Sequence, residues 1–343
     1  MKDFLFNTMK KLNEFVSPSG HERAELEWVK SQISAYVPEE DIYFDKIGNL
    51  IAVMGKGAGE RVMFSAHSDT IGFVVHFIDE NGFLRITNLG GVNVHTLNGR
   101  QVRFSNGVNG LLHFESSEYS MAKAYIDIGV SSKEEAEKLV SIGMAASVVG
   151  EVFTMGSGDD ERIVSPFLDD RIAMAIQMAA MERIAKMKFA LHNELYFVFS
   201  VQEEVGIRGA TTAAFGIDPT YGIALDVTGV GDIPKCFPMN MKVGGGACIK
   251  LMDSSLICSK HMVNFMRTVA EDQNIRYQME LLPYGGTDAG AMNRTRAGVY
   301  SGGISMPTRY IHTPTEEVSV ADCSACVDLI VELVKAGFTF DNK

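Results

Sequence analysis

Cysteine is scarce in this chain of 343 residues: Cys236, Cys248, Cys258, Cys323 and Cys326 are all there are, an odd number. A disulfide framework is therefore not expected to hold the fold, and a reducing, cytoplasmic setting suits this usage. Proline, at 9 residues, and tryptophan, at 1, are also rare, and the composition excludes a collagen-like or low-complexity chain. Long apolar runs are missing as well. The longest, such as IGFVV (71–75) and YFVFSV (196–201), have strand length, and the N-terminal MKDFLFNTMKK mixes charges into its apolar residues. Neither a signal peptide nor a membrane span is expected. Positive charge is in deficit too, with 31 Lys+Arg against 43 Asp+Glu and a net charge of −12. That balance argues against a nucleic-acid partner, because a phosphate backbone would be repelled.

What is present is a globular composition, 46% hydrophobic and 22% charged, in a chain long enough for about two domains. Helical spacing of Phe4, Leu5, Met9, Leu12 and Val16 predicts a first helix. A second is expected to carry Leu26, Val29, Ile33 and Val37, opened by Ser19 with Glu22 as a capping box. Strands follow at 42–45, 50–54 and 62–66. From 71 to about 153 the texture changes to short β-rich runs separated by Gly, Asn and Ser, with one short helix at 133–140. This is the pattern of a small barrel inserted into another domain. After Pro166 strands and helices alternate again, beginning with a long helix over 170–187 and ending with a helix bearing Val327, Ile330, Val331 and Val334. The expected fold is α/β: a mixed sheet sandwiched by helices, formed by 1–70 and 160–343, with an inserted β-barrel-like domain at 71–159. Cys323 and Cys326 have C-x-x-C spacing, but no second pair completes a zinc ribbon, and both are read as small helix residues.

Chemistry-bearing residues collect where strands end, which is where sites form in open α/β sheets. AHSD closes one strand with His67 and Asp69, FLDDRIA opens the long helix with Asp169 and Asp170, VQEEVG follows a strand with Glu203 and Glu204, and ALDVT carries Asp226. RYIHTPTE adds His312. An H-x-D on a strand points both side chains to one side of the pleat. Acids at a helix start are favoured by the macrodipole, which accounts for Asp170, whereas Asp169 after the apolar PFL is the better candidate to face inward. Adjacent Glu203 and Glu204 in a cleft repel each other unless a cation compensates them. One of such a pair can bind metal while the other takes a proton. Asp226 in an apolar run needs a partner. Mixed N/O donors without cysteine suit zinc, cobalt or manganese better than calcium.

In order along nearly the whole chain, SPSGHE (17–22), AHSDTIGF (66–73), GGV with a later LNGRQV (90–102), LDDRIA (168–173), VQEEVGIRGA (201–210), ALDVT (224–228), GGTDAG (285–290) and RYIHTPTE (309–316) resemble the co-catalytic metallopeptidases of family forty-two. That family comprises the tetrahedral and glutamyl aminopeptidases and endoglucanase-like relatives. The resemblance implies two divalent metal ions per subunit, zinc first with cobalt or manganese as alternatives. One ion would be held by His67 and Asp226 and the other by Glu204 and His312, with Asp169 bridging. It further implies Glu203 as general base, Asp69 as the residue orienting His67, and Asp288 as a residue near the site. The implied reaction removes the N-terminal residue from peptide substrates. The inserted domain would make dimer contacts, with dimers assembling into a hollow dodecamer.

The chain departs from many relatives at Ser68-Asp69-Thr70, and 235–250 is individual apart from its glycines. Lys242 or Lys250 is a candidate to favour an acidic first residue, against a plain surface role. Two other functions compete. An endoglucanase-type glycoside hydrolase would use paired carboxylates, but adjacent residues poorly match two carboxyls facing each other across a sugar. A non-catalytic peptide-binding assembly protein would not need the full donor set.

Overall fold

The computed structural model describes residues 1–187 and 189–339, without the side chain of Asp159. Its centre is a run of four parallel strands rich in buried apolar and β-branched residues: Glu194–Ser200, Arg61–His67, Tyr221–Thr228 and Tyr300–Arg309, in that order. Antiparallel strands extend this core on both sides. Leu50–Met54 and Ile42–Phe44 continue one edge, and Glu316–Ser319, Arg162–Ser165 and Phe153–Met155 continue the other. Ala247–Met252 pairs with Tyr300–Arg309 and in turn with Tyr277–Leu281. The sheet is therefore mixed, with eleven strands among the described residues.

Helices flank it. Leu168–Lys186 and Val320–Ala336 pack on each other and against the central strands, while Arg208–Ile217 and Asp288–Asn293 pack together against the same strands as a separate layer. The helix Leu168–Lys186 is buried on nearly every side, so its polar residues need internal partners. Arg171 finds them in Glu25, Ser17 and the Phe15 carbonyl, and Gln177 donates to the Val198 carbonyl. Cys323 and Cys326 are buried along Val320–Ala336 as free thiols, as their helical spacing predicts.

Between Arg61–His67 and the long helix lies a closed six-strand barrel, in the order Gly72–Ile78, Leu84–Leu89, Ala124–Asp127, Asn109–Phe114, Arg100–Phe104 and Ala145–Val148. Phe73, Val75, Leu84, Val102, Phe104, Leu112 and Ile126 fill it as a core separate from that of the sheet. Mixed sheet, flanking helices and inserted barrel thus match the expected fold class. Phe153–Met155 belongs to the edge of the large sheet. Among the described residues no helix is long and apolar enough to cross a membrane.

One local expectation is overturned. The helix after SPSG starts at Arg23, its N-cap is Glu22, and no capping box forms. The Ser19 hydroxyl donates to Asp69 Oδ2 at 2.6 Å, and Glu22 Oε1 accepts the amides of Gly20 and Gln202. Both side chains have stronger partners in tertiary structure than at the helix end, because a buried carboxylate must be supplied with donors.

Candidate metal centre

Parallel pairing places the ends of the four central strands side by side. His67 ends its strand directly opposite Ser200, so the turn carrying Glu203 and Glu204 begins next to it. Asp226 lies near the end of the neighbouring strand, opposite Ser305, and His312 follows Tyr300–Arg309 in a left-handed conformation with φ of +62°. Asp169 arrives from the other direction, at the start of Leu168–Lys186, where Asp169 and Asp170 have non-helical backbone and a cis peptide joins them.

These side chains converge. Asp169 lies between two histidines, with Oδ1 3.0 Å from His67 Nε2 and Oδ2 3.2 Å from His312 Nε2. Glu204 Oε1 is 3.3 Å from His312 Nε2, and Glu203 Oε2 is 4.0 Å from His67 Nε2. Donor atoms of His67, Asp169 and Asp226 lie within 4.8 Å of one another, as do those of Asp169, Glu204 and His312. Glu204 Oε1 is buried without a hydrogen-bond donor. Burial, and then the charge of Asp169, raises the Glu204 pKa. Glu203 and Asp226 are pushed well above the ordinary carboxylate range by burial, with neighbouring carboxylates adding to it. Burial opposes charge on His67, yet hydrogen bonding to Asp169 and Asp69 outweighs it and raises that pKa. Asp169 goes the other way: burial resists its charge, but the two histidines hold its pKa well below the usual range. Imidazole and carboxylate donors, four acids crowded together and an unsatisfied buried oxygen are a set that divalent cations fit, since positive charge favours every ionised form at once.

The surrounding shell fixes these groups. His67 Nδ1 lies 2.9 Å from the Asp69 carbonyl oxygen, which can only accept, so Nδ1 carries the proton and Nε2 faces the cluster. The Asp69 carboxylate, fully buried, accepts the amides of Glu203 at 2.8 Å and Glu204 at 3.1 Å as well as the Ser19 hydroxyl. It therefore holds the two glutamates on one wall. Asp288 Oδ2 accepts the hydroxyls of Ser65 and Ser200, tying together the strands that lead to His67 and Glu203.

Asp170 requires a correction. It stands at the helix start as expected, but it is fully buried and its Oδ2 accepts the His67 amide at 3.2 Å, so the macrodipole alone does not account for it. Lys250 is corrected too: it is fully buried against Glu280, with Asp253 Oδ2 at 3.4 Å, while Lys242 is exposed and off the cavity wall. Three parts of the shell were not assigned from sequence. Glu316 accepts the amides of Asp169 at 2.9 Å and His312 at 2.8 Å through its two oxygens. Its signal was its place four residues after His312 in RYIHTPTE. Gly90 and Gly91, in the loop after the barrel strand Leu84–Leu89, press on the cluster. A Cβ at Gly90 would meet Glu204 Cβ at 3.0 Å, and one at Gly91 would meet the His312 ring at 3.1 Å. Ser19 and Glu22 complete the group. A cavity of about 680 Å³ opens from the cluster.

A histidine and carboxylate cluster at the carboxyl ends of a sheet, opening into a cavity, defines a candidate divalent-metal site on an α/β scaffold. Residues 48–329 match the M42 glutamyl aminopeptidase family, and the chain belongs to that family of peptidases. It is 42% identical to a protein of Acetivibrio thermocellus provisionally named as an aminopeptidase, covering 96% of this chain and 98% of that one. Identity to a lysyl aminopeptidase of Pyrococcus furiosus is 35%, covering 96% and 95%. The structure of the Pyrococcus horikoshii TET1 peptidase, described as assembling into a tetrahedron or a large octahedral shell, superposes with a TM-score of 0.84. The two are 30% identical, covering 96% of this chain and 99% of that one.

Proposed function

We propose that this chain is a metal-dependent aminopeptidase that hydrolyses the N-terminal peptide bond with two divalent ions and a glutamate base. The observation that carries the reading is the position of Asp169 between His67 and His312, with Asp226 and Glu204 completing two donor groups around it. His67 and Asp226 would hold one ion, Glu204 and His312 the other, with Asp169 shared. Ions held there supply Lewis acidity, polarising the scissile carbonyl and making water easier to deprotonate. Glu203 is the base: its amide is fixed by Asp69, and its carboxylate reaches toward His67. It takes a proton from the attacking water as the new C–O bond forms. As the C–N bond breaks, it gives that proton to the leaving amine nitrogen, so one carboxylate serves as base and then acid. Asp69 orients His67 and the glutamate turn together, and Glu316 fixes the backbone of Asp169 and His312.

In this reading 1–70 and 160–343 form the catalytic domain and 71–159 the inserted segment, whose barrel mediates self-association and whose last strand, Phe153–Met155, joins the edge of the large sheet. The test is hydrolysis of aminoacyl-p-nitroanilides by protein loaded with zinc, cobalt or manganese. Turnover should vanish on chelation, return on re-addition of metal and be absent with N-acetylated substrate. Activity indifferent to chelator would reject the metal-dependent mechanism.

A further inference from the structure

The cavity lining has two chemically different parts. One is the carboxylates and histidines of the cluster. The other is largely apolar and includes Val230, Ile233, Phe237, Met239, Leu282 and Tyr284. Among the described residues no lysine or arginine lines the cavity, and every acid that does belongs to the cluster. Two of the cations nearby are already engaged. Lys250 is buried between Glu280 and Asp253 behind Thr228, whose hydroxyl donates to Glu280 at 2.9 Å. Arg309, between the wall residues Thr308 and Tyr310, pairs with Asp232 and Glu317. Lys235 is exposed on the loop beside Cys236 and is not part of the wall. The Tyr284 hydroxyl is turned to the Met239 sulfur at 3.7 Å.

We infer that the enzyme selects peptides whose first residue is uncharged and apolar, of the size of leucine, methionine or phenylalanine. The inference rests on the aminopeptidase reading, in which the first side chain lies against this apolar part of the lining. An acidic side chain would meet no cation there. A basic one would meet no carboxylate outside the cluster, where Asp169, Glu204 and Asp226 would bind the ions and Glu203 is the base. Either would lose water without gaining a partner, whereas an apolar side chain gains by the same transfer. Met239 matters most for redirecting choice, because its unbranched, half-buried side chain can be replaced by lysine of similar length.

The test compares Leu-, Met-, Phe-, Glu- and Lys-p-nitroanilide with the metal-loaded full-length protein. Leu or Met should exceed both Glu and Lys in kcat/KM by at least about tenfold. Preference for Glu or Lys would overturn the apolar assignment while leaving the aminopeptidase reading intact, and failure to hydrolyse any of the five would reject both. In Met239→Lys the Glu-to-Leu ratio should rise by at least about tenfold. Being a ratio, it is insensitive to the fraction of folded protein, and an unchanged ratio would remove this wall from substrate contact. The wild-type panel decides the preference even if the variant does not fold.

Discussion

Asp69 and Glu203 divide their labour at the scale of single residues. Asp69 is fully buried and spends its carboxylate on two backbone amides and a hydroxyl, so its loss would unseat the glutamate turn. Glu203 has the opposite economy, its backbone fixed and its carboxylate left toward the cluster. Glu203→Gln should therefore keep its metal content but lose at least about a hundredfold in kcat, as expected when a general base is removed. His312→Ala should instead lower the metal-to-protein ratio in elemental analysis. Near-normal turnover in the first variant, or full metal content in the second, would sink the respective role. The five donor residues His67, Asp169, Glu204, Asp226 and His312 were expected together from motifs at strand ends and a helix start, and the structure brings their donor atoms together. Asp170, Glu316 and Ser19 were not assigned their contacts. Their partners lie 103, 147 and 50 positions away, so only the folded topology brings them into range.

Whole elements meet at the site through the loop that follows Leu84–Leu89 in the barrel. Gly90 adopts φ of +76°, a conformation that favours glycine, whereas Gly91 matters for space alone, since a Cβ there would lie 3.1 Å from both Cε1 and Nδ1 of His312. Gly91→Val should displace the imidazole, which can yield as backbone cannot. The expected result is weaker metal binding and reduced kcat/KM, with the melting temperature of the protein changed by less than about 4 °C. Metal titration followed by calorimetry checks it, and unaltered affinity would mean that His312 does not depend on this loop. Period and alternation made most elements readable, including the buried strand Glu194–Ser200 and the closing helix. Their ends were less so. The long helix begins at Leu168, ahead of the expected Asp170, and passes through non-helical backbone at Asp169 and Asp170. The turn there is shaped by contacts to His67 and Glu316, which no periodicity records.

For the molecule as a whole, the barrel adds a second core on the path between two parts of the sheet domain, and not all of its apolar surface is covered. Phe77 is 49% exposed and Ile142 65% exposed, and the Gly143 amide donating to the Val75 carbonyl brings Ile142 beside the strand that carries Phe77. Exposed apolar side chains on an inserted domain are a surface suited to another copy of the chain. Light scattering coupled to size exclusion should accordingly give a mass that is a multiple of 37.5 kDa. Phe77→Glu combined with Ile142→Glu should reduce that mass, because burying two new carboxylates across an interface without partners is unfavourable. Neither Phe77 nor Ile142 lines the cavity or belongs to either donor group, so metal content should be retained while assembly is lost. A wild-type protein that is monomeric at micromolar concentration would overturn self-association, and an assembled double variant would move the contact to another face.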